Sequence, residues 1–545
     1  MKKPSIYFAK RTGTVIFAAS LSLLATEASA KEYIVKLKNN QQKYTLNNLE
    51  TFSNHSYKVS GIEEGLKLVK VNARDDASVE ADKATLKNYF DAEYVVENIK
   101  LHAFNEVSDP RRSEQWSLDI IHANQAWNSS LGSSSVVVAV VDTGINLTHE
   151  DLKANIWVNQ GEVAADGKDN DNNGFIDDVN GWDFHGNDKD PNDETGSQNP
   201  GHGTHCSGIV GAVGNNGVGV SGISPKVSLM ALRFLDENGS GDLFASVRAI
   251  EYAVKNGAHV ISASWGANVS ESEAQPIIDA IKKAEESGVI FIAAAANDGR
   301  SNDSASVYPA NSQTPNMISV AASDSSDSKP SWSNYGRKVD LAAPGADILS
   351  TVPGGYQKLS GTSMATPLVA GLVALMKSLD INLSGAQARS ILQSTGAKVN
   401  IETASNSRID AEKALEAVAN KSLTLVPAAH TFKIGDEFNF SAWGGTAPYR
   451  FSSASPDLAT IDESGHLVAK AVGDVVIEVT DSLGNKASSV SIKISDGSGG
   501  GGGGGGDCPL DNPFLCAILC IVNPQLPWCQ DGGGLPDLPE LPELP

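Results

Sequence analysis

Gly361-Thr362-Ser363-Met364-Ala365-Thr366-Pro367-Leu368-Val369-Ala370-Gly371-Leu372-Val373-Ala374-Leu375-Met376 puts a serine at the head of a stretch that is apolar nearly all round. Such a stretch reads as a buried helix. Pro367 falls within its first turn or so, where a missing N–H costs least. A serine at a helix N-terminus meets free N–H groups and the positive end of the helix dipole, which favour a developing oxyanion. The same place also suits an ordinary N-cap. Upstream, Val137 to Val141 is a continuous β-branched and apolar run, the pattern of a buried central strand in a parallel sheet. Asp142 ends it, at the edge where open α/β sheets place their sites, although a cap or turn aspartate would look the same. Gly201-His202-Gly203-Thr204-His205 sets a histidine between glycines, just ahead of the small, apolar run Ser207 to Val213. That run suits a helix packed closely on a sheet, and His205, three residues on, is a competing base. An acid, a base and a hydroxyl are what activation of a serine requires.

Taken in order, Asp142-Thr143-Gly144, His202-Gly203-Thr204-His205 and Gly361 to Pro367 closely resemble the motifs of the subtilisin-like serine proteases, or subtilases. The resemblance runs from about Trp116 to about Val418. It implies an α/β fold, a subtilisin-like parallel sheet with helices on both faces, and an endopeptidase that cuts proteins and peptides through an acyl-enzyme. In these terms Asp142 orients His202, His202 is general base and then acid, and Ser363 is the nucleophile. The apolar run from Val289 to Ala296 ends at Asn297, where the family has an asparagine that donates to the oxyanion beside the nucleophile's own N–H. Subtilases usually carry glycine before it; this chain has Ala296, which restricts the backbone. Val260 to Gly266 resembles the strand that pairs with extended substrate, making Ser264, Trp265 and Gly266 the substrate-binding residues. Trp265 stands where leucine is more usual, and its bulk suggests substrates with apolar side chains. Cys206 matches a small buried cysteine of some subtilases, against the alternatives of a metal ligand or a reactive thiol.

Calcium is the expected cofactor, in a structural role. Asp169-Asn170-Asp171-Asn172-Asn173-Gly174-Phe175-Ile176-Asp177-Asp178 has hard oxygens at positions one, three and five and glycine at six, like the start of a calcium loop. Asn180 replaces the usual glutamate at position twelve, and Asp177 and Asp178 are the expected compensation. By family resemblance Asp151 and Asn216 form a second site, and Asp183, Asp188 and Asp190 a weaker third.

At 545 residues the chain exceeds one domain, and its net charge of −23 argues against nucleic acid or an anionic membrane as partner. Lys2, Lys3, Lys10 and Arg11, an apolar stretch from Thr14 to Thr26 and Ala28-Ser29-Ala30 make residues 1–30 a secretory signal peptide, so the protein is expected outside the cell. No other run is expected to reach membrane-spanning length. Residues 31–107 read as a small α+β segment, with strands at Glu32 to Leu37 and Leu66 to Val71 and a helix from Ala77 to Phe90. The segment resembles the subtilase propeptide, which would make it the enzyme's own inhibitor. Maturation is expected between Phe104 and Ser113, where Arg111-Arg112 is a possible processing signal. Residues 113–418 form the catalytic domain. Short alternating segments and turn signals mark 421–495 as a β-sandwich resembling a bacterial immunoglobulin-like domain. A Gly-rich linker spans 496–507. The tail, 508–545, holds Cys508, Cys516, Cys520 and Cys529, enough for two disulfides. With the sandwich, it offers a surface-contact module.

Overall fold

The computed structural model describes residues 31–38, 56–63, 65–73, 79–98, 107–197 and 199–496. The signal segment, the glycine run 499–506 and the four-cysteine tail lie outside the described residues. The chain divides into two compact units, 1–102 and 103–545.

In the first unit, β1 (Glu32–Leu37), β2 (Tyr57–Glu63), β3 (Leu68–Ala73) and β4 (Ala92–Glu97) form an antiparallel sheet in the order β2-β3-β1-β4. Alternation along β1 and β3 sends Tyr33, Val35, Val69 and Val71 to one face, where Leu86 of helix α1 (Val79–Tyr89) packs with Phe90 just beyond it. Tyr33 and Tyr57 both donate their hydroxyls to buried Asp82 at 2.7 Å, which satisfies a carboxylate inside this small core.

The second unit is built on β5 (Gly132–Asp142), β6 (Gly181–Asp183), β7 (Lys226–Arg233), β8 (Val260–Ala263), β9 (Ile290–Ala294), β10 (Met317–Ser323) and β11 (Leu341–Pro344). With the short β12 (Ala397–Lys398) and β13 (Ser407–Arg408) they make, among the described residues, a nine-stranded sheet in the order β12-β13-β11-β10-β9-β8-β5-β7-β6. Every pairing is parallel except β12 with β13. β5 shows why the sheet is covered on both sides. Its two-residue period sends Val136, Val138 and Val140 into one core and Val137, Ala139 and Val141 into another. Helix α2 (His202–Gly211) and helix α5 (Thr362–Leu379) pack on the first face; α3 (Leu243–Lys255) and α4 (Glu271–Glu286) pack on the second. α5 is long and apolar enough to cross a membrane, contrary to the expectation that no run would be; it is buried at the centre of the first core, which accounts for its composition.

The chain joins this unit from its first described residue: Val107 packs into the core, and Asp109 accepts from the N–H groups of Asn215, Asn216 and Gly217 at 2.8, 3.0 and 3.2 Å. Arg111 pairs with Glu114, and Arg112 is buried against Asp119, so both arginines are engaged in the fold. After α6 (Gly385–Thr395) and α7 (Ala411–Ala419), short strands from Thr424 to Ser495 form small sheets around Leu425, Phe432, Phe440, Leu467, Val479 and Ile494, consistent with a β-sandwich. It docks on α6, where Ala428 N–H donates to the Ser390 hydroxyl at 3.2 Å.

Candidate active site

Asp142 ends β5 and is fully buried. Its Oδ1 accepts the Thr143 N–H at 2.8 Å and meets His202 Nδ1 at 2.7 Å. His202 is the first residue of α2, and Gly203 lets that helix approach. A Cβ on Gly203 would lie 2.2 Å from the Gly144 carbonyl and 3.1 Å from Asp142 Cβ. Burial alone would lower the His202 pKa, but the Asp142 carboxylate outweighs it and holds it well above the ordinary histidine value. His205 is not the competing base. Its Nε2 lies 3.0 Å from the carbonyls of Ile348 and Gln357, and burial pushes its pKa down to about 3. Cys206 lies between the imidazole and α5, with Sγ 4.0 Å from His202 Nδ1 and 3.4 Å from the Ser363 carbonyl. Burial pushes its thiol up, which keeps it a neutral packing group.

Ser363 is the second residue of α5, and its hydroxyl donates to the Ser264 carbonyl at 3.1 Å. Among the described hydrogen bonds that is its partner rather than His202. Apo geometries of this kind are often looser than reacting ones. The Ser264 hydroxyl in turn donates to the Ser363 carbonyl at 2.9 Å, tying the β8 extension to the helix start. Asn297 follows β9. Its Oδ1 accepts the N–H and hydroxyl of Thr362 at 2.8 and 3.0 Å, so its amide nitrogen is turned to the other side. A side chain on Gly361 would begin 3.5 Å from both Asn297 Nδ2 and Ser363 N, so the two donors flank one small volume. Ala296 has φ +88°, in the left-handed region that favours glycine; the restriction foreseen at this alanine is real backbone strain.

Trp265 Nε1 donates to the Val141 carbonyl at 2.7 Å, and the indole meets Phe234 edge-on at 4.8 Å. So anchored, it separates two cavities. One, about 250 Å³, reaches Ser363 and Asn297 past Ser264 and Gly266. The other, about 400 Å³, is lined by Leu235, Leu243, Ile277 and Tyr308 beside Trp265 and Gly266.

The candidate metal residues sort into a different pattern from the one sequence suggests. Asp151 is buried, accepting from Asn216 Nδ2 at 2.7 Å and Val220 N–H at 2.8 Å, and burial pushes its carboxyl up. Asp171 and Asp178 converge with Glu162, each offering an oxygen within 4.8 Å of the others. Asn173 Nδ2 donates to both aspartates at 3.1 and 2.9 Å, and the Tyr252 hydroxyl donates to Asp178, whose carboxyl burial again pushes up. Asp169 caps the turn through the N–H groups of Asn173 and Gly174. Asp177 is a correction: its left-handed backbone turns it to Lys189 at 2.6 Å, which holds its pKa down and leaves it outside the cluster. The third cluster is corrected too, since the Arg233 guanidinium sits 2.9 Å from Asp183 where a cation would be needed. Asp151 and Asp178 present their buried oxygens to neutral amide, hydroxyl or backbone donors, and hard, buried oxygens of this kind fit a hard cation. Sequence reading missed Glu162 and Asp109; the loops alone bring them in, and neither sits in a motif.

A parallel sheet that brings an acid–imidazole pair and a helix-borne serine to one edge belongs to the serine hydrolases. The Subtilase family profile matches residues 133–414, and that of the intimin immunoglobulin-like domain matches residues 433–482. Thermitase from Thermoactinomyces vulgaris is 40% identical over 289 residues, 53% of this chain and 90% of its own. A thermophilic serine proteinase from Bacillus sp. (strain AK1) is 36% identical over 61% of this chain and 74% of its own. Subtilisin amylosacchariticus from Bacillus subtilis subsp. amylosacchariticus is 33% identical over 70% and 91%. The chain belongs to the subtilase family and is a subtilisin-like serine endopeptidase.

Proposed function

We propose that this is a secreted, calcium-stabilised endopeptidase made as an autoprocessed precursor, with Asp142, His202, Ser363 and Asn297 as its catalytic residues. The observation that carries the reading is the 2.7 Å pairing of buried Asp142 with His202, beside a serine whose N–H shares a volume with the Asn297 amide. In the reaction His202 Nε2 takes the Ser363 proton as Oγ attacks the scissile carbonyl. Ser363 N–H and Asn297 Nδ2 donate to the oxyanion. The tetrahedral species collapses, the C–N bond breaks, and His202 hands the same proton to the leaving amine. Water, deprotonated by His202, then hydrolyses the ester and restores Ser363. Asp142 keeps the imidazole in the tautomer that presents Nε2.

Ser264, Trp265 and Gly266 line the path of an extended peptide, whose backbone would pair with this segment while the cavities on either side of Trp265 take side chains. The apolar walls of the larger one favour substrates with apolar residues. Calcium would be held by Asp151 with Asn216, and by Asp171, Asp178 and Glu162 with Asn173; it would neutralise buried carboxylates and take no part in the chemistry. The segment 31–107, up to the cut, would serve as the inhibitory propeptide. Because Asp109 is tied into the Asn215–Gly217 loop, cleavage would fall ahead of Val107 rather than at Arg111-Arg112. The immunoglobulin-like segment supports contact with a surface outside the cell.

Mass spectrometry of secreted wild type and Ser363→Ala tests the reading. The wild type should appear with its N-terminus between residues 98 and 107 and the variant as the uncleaved precursor. A variant processed like wild type would remove autoprocessing from the account.

A further inference from the structure

Asp193 is a carboxylate that the reaction above leaves without a role. It is 5% exposed and lies in the loop between β6 and α2. Its Oδ1 accepts the Thr143 hydroxyl at 2.8 Å, and its Oδ2 accepts the Thr204 N–H at 2.9 Å and the Thr204 hydroxyl at 2.6 Å. Thr143 directly follows Asp142, and Thr204 lies in the first turn of α2, just past His202. The Thr143 oxygen also accepts the Gly203 N–H at 2.9 Å, closing a ring of hydrogen bonds between the turn after β5 and the start of α2. Three donors converge on Asp193, so the place is built for a group that only accepts. The loop is braced from outside as well. Ile145 N–H donates to the Pro191 carbonyl at 3.1 Å, Asp193 N–H to the Ile145 carbonyl at 3.3 Å, and Glu194 pairs with Arg233 at 2.9 Å. Burial pushes the Asp193 carboxyl up against the pull of its threonine donors, and such a cost is sustained only where those bonds hold the group in place.

We infer that Asp193 is a positioning residue for catalysis: it clamps Thr143 to Thr204 and so fixes the alignment of the Asp142 carboxylate with the His202 imidazole. It acts through the two threonines and does not touch substrate. The inference rests on the reading of Asp142, His202 and Ser363 as the catalytic set. Asparagine at this place would present an NH₂ where only donors wait, opening the ring on one side. A displacement of about 1 Å in such a pair costs about 10²-fold in rate.

The experiment compares Asp193→Asn, Thr143→Val and Thr143→Ser in the mature enzyme. It reads kcat and KM on a chromogenic peptide, the rate at which a fluorophosphonate labels Ser363, and Tm. Asp193→Asn and Thr143→Val should lower kcat and the labelling rate together by about 10–10²-fold with KM unchanged. Thr143→Ser, which keeps the hydroxyl, should retain both rates. A lowered Tm with kcat and labelling rate intact would overturn the clamp and leave Asp193 a folding residue. If Asp193→Asn does not fold, the contrast between the Thr143 variants decides alone. A wild type that fails to label at Ser363 would overturn the catalytic reading and the clamp with it; a labelling wild type with unaffected variants overturns the clamp alone.

Discussion

Ala296 is where the chemistry of one residue is easiest to isolate. Its φ of +88° costs an alanine of order 1–3 kcal/mol, while glycine surrenders about 0.5–1 kcal/mol of chain entropy in exchange. Ala296→Gly is therefore expected to stabilise the enzyme by roughly 1 kcal/mol in denaturant unfolding. Its neighbour behaves oppositely. Asn297→Ala removes one of the two proposed oxyanion donors and should lower kcat by about 10²–10³-fold, with little change in KM. The His202 pKa gives a third test. The base must be neutral to accept the serine proton, so activity should rise with pH through a value above about 6.5, the ordinary histidine figure. The groups facing the imidazole are Asp142, Cys206 and His205; burial pushes the Cys206 thiol up and the His205 pKa down to about 3, so the interaction that chiefly raises His202 is with the Asp142 carboxylate. The sign for stability is reversed. The protonated His202–Asp142 pair stabilises the fold fully below the ordinary histidine pKa, and that contribution is lost as pH rises through the elevated one. An acid limb of the kcat/KM profile lying below the ordinary histidine value would contradict the pairing.

At the scale of the element, the decisive piece is the acidic loop between β5 and β6. Strands and helices were legible in the sequence because each is local, and so were the ends of β5, α2 and α5 that carry Asp142, His202 and Ser363. A two-residue period gives β5, an unbroken apolar stretch gives α5, and glycines flank His202 because a helix must come close to a strand. The candidate metal residues were legible only as a set of carboxylates. Asp177 and Asp178 are neighbours with equal chemistry, and a single left-handed backbone angle sends one to Lys189 and the other to the cluster. Glu162 joins from seven residues before Asp169, and Asp109 reaches the Asn215–Gly217 loop from more than a hundred residues away. No spacing rule connects either pair. The loop's expected behaviour follows from the convergence of buried Asp178 with Asp171 and Glu162. Removing calcium should lower Tm, and restoring it to about 100 times its Kd should return roughly 2.7 kcal/mol per site. Asp178→Asn should lose much of that response while Asp177→Asn keeps it. A Tm indifferent to calcium would set the sites aside.

Across the whole molecule, one sheet joins the functional parts. β5 delivers Asp142, the extension of β8 delivers Ser264 and Trp265, and β9 delivers Asn297, all at the same carboxyl edge. α2 and α5 start at that edge from the face opposite α3 and α4, which is why His202 and Ser363, far apart in sequence, come to the same edge. The account's central claim is that this edge performs acyl transfer through Ser363. Its most direct measurement is fluorophosphonate labelling with peptide mapping, run beside hydrolysis of a denatured protein, on wild type and Ser363→Ala. The account predicts a single adduct on Ser363 and protein cleavage in wild type, and neither in the variant. An adduct elsewhere, or cleavage that survives Ser363→Ala, would contradict it.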